Sequence, residues 1–203
     1  MNDILKMIFM CFVISILLLL TVDLLGSETY YNESEHKKHL YKDFNEQLEY
    51  IFAINPKVSV EDAILIIEAI DDSYFRTGLT KLDFLLICGW ESRFKKNTIG
   101  RIDKNDKGIC QINRNTWVHF KEKEYINGDW TMIFDIDYNI YVSSIILMKY
   151  RERLLKIYPN KNSKEINKIL IESYNKGVGG TKTIVKNEGK FDYYKNVMKM
   201  KEL

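Results

Sequence analysis

The chain has 203 residues, 46% of them hydrophobic and 29% charged, with two prolines; this is about one globular domain with some additional sequence, not a disordered polypeptide. A net charge of +2 is too small for a dedicated nucleic-acid-binding domain. No histidine–cysteine cluster has metal-ligand spacing, and the densest glycine cluster, Gly177-Val178-Gly179-Gly180, lacks the lysine of a phosphate loop, so no metal and no cofactor is expected.

Residues 7–22 are apolar except for Ser15 and Thr21, and with Leu24 and Leu25 they approach the ~17–25 residues that span a bilayer. A cleaved signal peptide has a shorter apolar region and small residues at its cleavage site, which Leu24-Leu25-Gly26-Ser27 matches poorly. Residues 4–25 therefore fit an uncleaved membrane anchor better than a signal peptide, and a buried core helix least. Lys6 ahead of the segment predicts that the N-terminus stays in the cytoplasm and that the remainder is exported. The expected organisation is an anchor or signal peptide over 1–26, a tether and leading helix over 27–56, and a domain over 57–203 working in the cell envelope.

Beyond the polar tether, Leu40, Phe44, Leu48, Ile51 and Phe52 recur at helical spacing until Pro56 closes the segment. Ser59-x-x-Asp62 opens a second helix with Val60, Ile64, Ile67, Ile70 and Tyr74 on one face, and Gly78 ends it. Thr80-x-x-Asp83 caps a third helix through LDFLLICGWES. Residues 138–158 read as a long helix stopped by Pro159. Ser163 caps another, carrying Ile166, Ile169, Leu170 and Tyr174 and finishing near Gly177. A last amphipathic piece holds Phe191, Tyr194, Val197 and Met198. No strand alternation persists beyond a few residues, so the pattern predicts a mainly α single domain.

On the third helix, Phe84, Ile87, Cys88 and Glu91 share one stripe, so Glu91 leaves an apolar face near the helix C-terminus. Desolvation and the negative end of the helix dipole both disfavour its ionised form. That is the profile of a general acid working near neutral pH. From the stripe alone, an ordinary helix-end glutamate paired with Arg93 or a lysine is the alternative.

The words ESRF (91–94), DKGICQIN (106–113), TW (116–117), YNI (138–140) and SYNKG (173–177) occur in the order found in the lytic transglycosylases. The chain resembles that family over residues 60–194, nearly all of the exported part. The resemblance implies a lysozyme-like α+β fold of the goose type behind the N-terminal hydrophobic helix. It implies peptidoglycan glycan strands as the partner, and it is greatest to the small transglycosylases that accompany secretion, conjugation or phage assemblies. Glu91 matches the family's single acid/base. Ser92 follows it as in the family's Glu-Ser pair or serves as a helix-end hydroxyl. Gln111 and Asn113 match positions that line the cleft. Tyr174 matches a tyrosine whose hydroxyl sits near the acid, or is a structural residue on the face of Leu170 and Ile171. Asn175 follows Tyr174 in the same phrase and, with Gly177, shapes the turn after the helix. Phe94 and Trp117 read as core.

Some positions depart from the family's pattern. The loop KKNTIGRIDKNDK is long and lysine-rich, and no serine lies between Ser92 and Ser143, leaving Thr98 as a stand-in for a loop serine. Ser173 replaces an alanine, and Cys110 replaces a methionine or leucine. The family fold brings Cys88 and Cys110 to one cleft, where an exported domain could bridge them. Relatives fill the position of Cys110 with a core side chain, which favours two buried thiols instead. Cys11 lies in the apolar segment and pairs with neither.

One matched carboxylate is too few for the two-carboxylate glycosidase mechanism. The family's answer is substrate assistance: the N-acetyl group of the muramic sugar replaces the protein nucleophile and a 1,6-anhydro ring forms. Asp103 or Asp106 holding a water would make a hydrolysing muramidase instead. A catalytically silent peptidoglycan-binding assembly factor is a third reading.

Overall fold

The computed structural model describes residues 42–187 and 189–202. The apolar segment read as anchor or signal peptide, and Cys11 within it, lie outside the described residues. The chain divides into two units, Met1–Asn45 and Glu46–Leu203. Of the first, residues 42–45 are described and are helical. Among the described residues no helix is long and apolar enough to cross a membrane.

In the second unit residues 46–54 form helix α1, and Ile51 and Ile54 are buried in the core. Helices α2 (Val60–Thr77) and α3 (Lys81–Ser92) follow, and each starts on the residue that the sequence singles out. Ser59 accepts from the Asp62 N–H, and Thr80 from the Asp83 N–H. Gly78 ends α2 in the left-handed conformation. The buried face of α2 differs from the expected one: Ala63, Ile66, Ile67, Ile70 and Ser73 are inside, while Val60 is 57% exposed. Counting apolar residues overweights Val60 and Ile64. The α2 face is chosen by packing against α5 and α3, and small side chains such as Ala63 and Ala69 qualify for it.

A polar loop leads to a hairpin absent from the sequence pattern. Strands β1 (Asp106–Lys107) and β2 (Ile112–Asn113) pair antiparallel, with Asp106 opposite Asn113, and Ile99 bridges to Lys107. Two residues per strand are too few for alternation to register. Helix α4 (Arg114–Glu122) starts on the Asn113 cap. A 3-10 turn over Trp130–Phe134 precedes the long α5 (Ile136–Ile157). Around the hairpin, Ile112, Trp117, Phe120, Ile133, Tyr138 and Val142 form a hydrophobic cluster.

Helix α6 (Ser163–Lys186) is capped by Asn162, one residue ahead of the expected Ser163, through a reciprocal capping box with Glu165. Gly177 breaks it at φ 66°, ψ 160°, and the chain turns helical again instead of stopping there. Helix α7 (Asp192–Lys199) buries Tyr193 and Val197 and leads into a 3-10 turn whose Met200 is also buried. The expected apolar face named Tyr194 and Met198. Two adjacent tyrosines cannot be ranked by hydrophobicity, and the structure selects the one facing α3. The described residues thus form a mostly helical architecture with a small hairpin.

Candidate active site

Glu91 projects from the last turn of α3, a helix buried along Phe84–Gly89. The turn that follows is held in place. Arg93 and Phe94 adopt successive left-handed conformations, φ 55° and 58°, which non-glycine residues hold only when their surroundings enforce it. Arg93 supplies the enforcement: its Nε and Nη2 donate to the Ile54 carbonyl at 3.2 and 2.8 Å, and Asn55 Nδ2 donates to the Arg93 carbonyl at 2.9 Å. The expected alternative of an Arg93–Glu91 pair is therefore not what this arginine does. Ser92 is buried, and its hydroxyl donates to the Cys88 carbonyl and accepts from the Lys95 N–H. Of its two readings, the helix-end hydroxyl describes this geometry.

The partner of Glu91 is Tyr193, whose hydroxyl donates to Oε1 at 2.6 Å from 102 positions away. Burial raises the Glu91 pKa from 4.5 to about 7; the Tyr193 hydrogen bond pulls it down and the Asp106 charge pushes it up. The expected direction stands, and desolvation, one of the two causes expected, is the largest. Burial, with Glu91 next to it, holds the Tyr193 hydroxyl well above the ordinary tyrosine range, so it remains a donor.

Gln111 lies across from Glu91 in a second strained turn, at φ 52°. Its Nε2 donates to the Thr98 and Gly108 carbonyls at 3.1 and 2.8 Å, which fixes the side-chain amide in the cleft wall. Cys110, just before it, is anchored three ways. Its N–H donates to Asn139 Oδ1 at 2.9 Å, its carbonyl accepts from the Tyr174 hydroxyl at 2.8 Å, and its sulfur is joined to Cys88 in a disulfide with Cα atoms 4.2 Å apart. The preference for two free thiols is thus reversed: the turn carries Cys110 onto α3, where the sulfurs face one another. Asn139, fully buried on α5, also donates to the Lys107 and Ile133 carbonyls at 3.1 and 2.7 Å. Gly108 (φ 80°) passes so close to this amide that a Cβ would collide with it.

Tyr174 has one hydroxyl proton, which goes to Cys110, so the 2.8 Å contact with Ser143 is donated by the serine. Burial and the nearby Glu91 keep this tyrosine protonated. It lines the cleft with Glu91 and supports the Gln111 turn; the direct bond to the acid comes from Tyr193.

Asn113 ties the loop to the hairpin, its Nδ2 donating to Asp103 Oδ2 at 3.0 Å and to Asp106 Oδ1 at 2.8 Å. Burial raises the Asp106 pKa, the Asn113 amide lowers it, and Asp103 raises it. Among the described residues no group of three His, Cys, Asp or Glu side chains could hold a metal ion. Glu91, Asp103, Asp106, Gln111 and Asn175 line two cavities in common, one of about 380 Å³ towards Tyr150 and Tyr174 and one of about 570 Å³ towards Thr98 and Arg101. Asn113 lines the first and Ser92 the second.

A family model described as the transglycosylase SLT domain matches residues 75–197. The chain belongs to this family. It is a lytic transglycosylase domain with the family's lysozyme-like fold, and the family acts on peptidoglycan in the cell envelope. No curated protein and no solved structure matched. The family match runs from within α2 to Val197 in α7, so it encloses both Glu91 and its donor Tyr193.

Sequence reasoning brought Glu91, Gln111, Asn113 and Tyr174 to one cleft, where the structure has them; Asn175, read as shaping the turn after the helix, lines that cleft as well. It missed Tyr193, whose only signal was its place in an aromatic triplet of a transglycosylase-like C-terminal helix. It quoted YNI without giving Asn139 the role that the structure gives it.

Proposed function

We propose that this transglycosylase domain cleaves the β-1,4 bond between N-acetylmuramic acid and N-acetylglucosamine in peptidoglycan, closing a 1,6-anhydro ring on the muramic sugar, with Glu91 as the only acid and base. The observation that carries this reading is the Glu91 carboxyl: largely desolvated, titrating at about 7, and open to the cleft while Tyr193 occupies its Oε1. With Oε1 accepting from tyrosine, the proton for catalysis resides on Oε2. Glu91 gives that proton to the glycosidic oxygen as the C1–O bond breaks, and the N-acetyl carbonyl oxygen of the muramic sugar bonds to C1. The resulting carboxylate then takes the proton of the C6 hydroxyl, O6 bonds to C1, and the bond from the acetamido oxygen opens. Glu91 ends protonated, ready for the next turnover. One group performs both transfers because its pKa lies near ambient pH. Gln111 and Asn113, whose amide N–H groups are donated within the protein, offer their amide oxygens to the sugars along the groove, Asn175 lines it beside them, and Ser92 supports the turn beneath.

Asp106 favours a second reading, hydrolysis, because it lines the same cleft close enough to raise the Glu91 pKa. The Asn113 amide ranks this reading second, since it holds both Asp103 of the loop and Asp106 of the hairpin. Export through residues 4–25, as an anchor or a signal peptide, and service to a secretion, conjugation or phage assembly complete the proposal. Digestion of purified peptidoglycan, with mass spectrometry of the products, tests the chemistry. Anhydro-muramic ends are expected; a predominance of reducing muramic ends overturns the ring-closing step in favour of hydrolysis, and no cleavage leaves a binding protein.

A further inference from the structure

Glu172 is a carboxylate 1% exposed in the interior of α6, and the reaction proposed above does not use it. Its Oε2 accepts a hydrogen bond from the backbone N–H of Tyr194 at 2.8 Å. Tyr194 is the third residue of α7, and Phe191, just ahead of that helix, makes no side-chain cap hydrogen bond. The first N–H groups of a helix lack intrahelical partners, and a capping side chain ordinarily reaches the second or third of them. Glu172 performs that task from a neighbouring helix, where a carboxylate is the group the helix dipole favours. One residue before Tyr194 stands Tyr193, the donor to Glu91.

We infer that Glu172 is a positioning residue for the reaction: by capping the first turn of α7 it holds the Tyr193 hydroxyl on one oxygen of Glu91. The other end of this segment is fastened independently. Lys201 pairs with Asp83 at 2.6 Å, and its carbonyl accepts from the Tyr50 hydroxyl at 3.2 Å. Losing the cap therefore loosens the end that bears Tyr193 while the far end stays stapled to α3 and α1. Lys168 lies 4.3 Å over the Phe191 ring, a contact in which Glu172 takes no part. Around Glu91 the titratable and charged groups are Tyr193 from α7, Asp103 and Asp106 from the loop and hairpin, Tyr150 from α5, and Tyr174 and Lys176 from α6, with Arg93, Lys95 and Arg101 lining the second cavity. Of these, only Tyr193 lies in the turn that Glu172 caps.

The inference rests on Glu91 being the acid, so the experiment separates the two. The full chain is compared with Glu172→Leu, Glu172→Gln, Tyr193→Phe, the Glu172→Leu/Tyr193→Phe double variant and Glu91→Gln. Each is followed by kcat/KM on peptidoglycan against pH. Except in Glu91→Gln, the Glu91 carboxyl carbon is also titrated by NMR, which reads the acid without needing turnover. Glu172→Leu should lose about tenfold in kcat/KM, the size of one hydrogen bond lost from a reacting group. It should move the Glu91 midpoint upward as Tyr193→Phe does, and the double variant should be little worse than either single one. Glu172→Gln, whose amide oxygen can still accept from Tyr194, should recover most of the loss. An unchanged Glu91 midpoint in folded Glu172→Leu, or losses that multiply in the double variant, overturns the inference. Should the leucine variant not fold, Glu172→Asp decides on the same readings, because it draws the oxygen back by one methylene. An active Glu91→Gln overturns the assignment of the acid itself, whatever Glu172 does.

Discussion

Replacing Tyr193 by phenylalanine removes one oxygen from the core and shifts the working pH of the enzyme. The hydroxyl donates to Glu91 Oε1 at 2.6 Å and lowers the acid's pKa against a larger desolvation effect. A hydrogen bond to a charged group contributes about 1.5–3 kcal/mol and one to a neutral acceptor about 0.5–1.5 kcal/mol, so the bond favours the carboxylate over the acid by about 1–1.5 kcal/mol. At 1.36 kcal/mol per pKa unit that difference is about one unit, and the Glu91 pKa in the variant should rise from about 7 to about 8. The first proton transfer needs Glu91 protonated, so kcat/KM falls as pH rises through this value. The wild-type profile on purified peptidoglycan, read by release of soluble muropeptides from pH 5 to 9, should bend near pH 7, and the Tyr193→Phe profile about one unit higher. The plateau below both bends should drop as well, because Oε2 is no longer held in one orientation. A wild-type bend near 4.5, or a Tyr193→Phe bend that stays put or moves down, refutes the argument.

Asp106→Asn acts in the opposite direction: it removes a charge that raises the Glu91 pKa, so the bend should move below pH 7, and a variant that produces only anhydro ends while keeping its rate rules out Asp106 as a hydrolytic base. Glu91→Gln should lower kcat/KM by about 10²–10⁴-fold or more, since one group serves both steps. The same variant should be more stable than wild type at pH 8 and equal to it below pH 4.5. The folded-state pKa of Glu91, about 7, exceeds the ordinary 4.5, so burying the carboxyl is increasingly opposed as pH rises through that window, by at most about 3 kcal/mol; thermal unfolding at the two pH values checks this. The Cys88–Cys110 bridge closes a loop with a separation of 22, so its reduction should cost about 3 kcal/mol of stability and loosen the Gln111 turn. Intact mass after alkylation of the unreduced, denatured protein checks the bridge, and two labelled thiols there would rule it out. Asn139→Leu should destabilise by several kcal/mol in denaturant titration, because it strands the buried Cys110 N–H and the Lys107 and Ile133 carbonyls together.

The sequence by itself determined what depends on a few consecutive residues. Ser59 and Thr80 start their helices because a hydroxyl reaches an N–H three positions on, and Gly78 ends one because it can turn left-handed. Glu91 was legible because an apolar helix that ends in a carboxylate raises a question about desolvation within one turn. The family words added Gln111, Asn113 and Tyr174 by resemblance. Tertiary structure decided what depends on separated segments. It chose Tyr193 over its neighbour Tyr194 and set it on Glu91 102 positions away. It put Tyr174 on the Cys110 carbonyl across 64 positions and Asn139 on the Cys110 N–H across 29. It rotated the buried face of α2, and it brought two cysteines with weak claims to a bridge within bonding distance. The Ser59 and Thr80 caps are settled by local backbone geometry, whereas the donor facing the Glu91 carboxyl is settled by how α3, α6 and α7 pack, and no periodicity within one helix encodes its neighbour's rotation about its own axis.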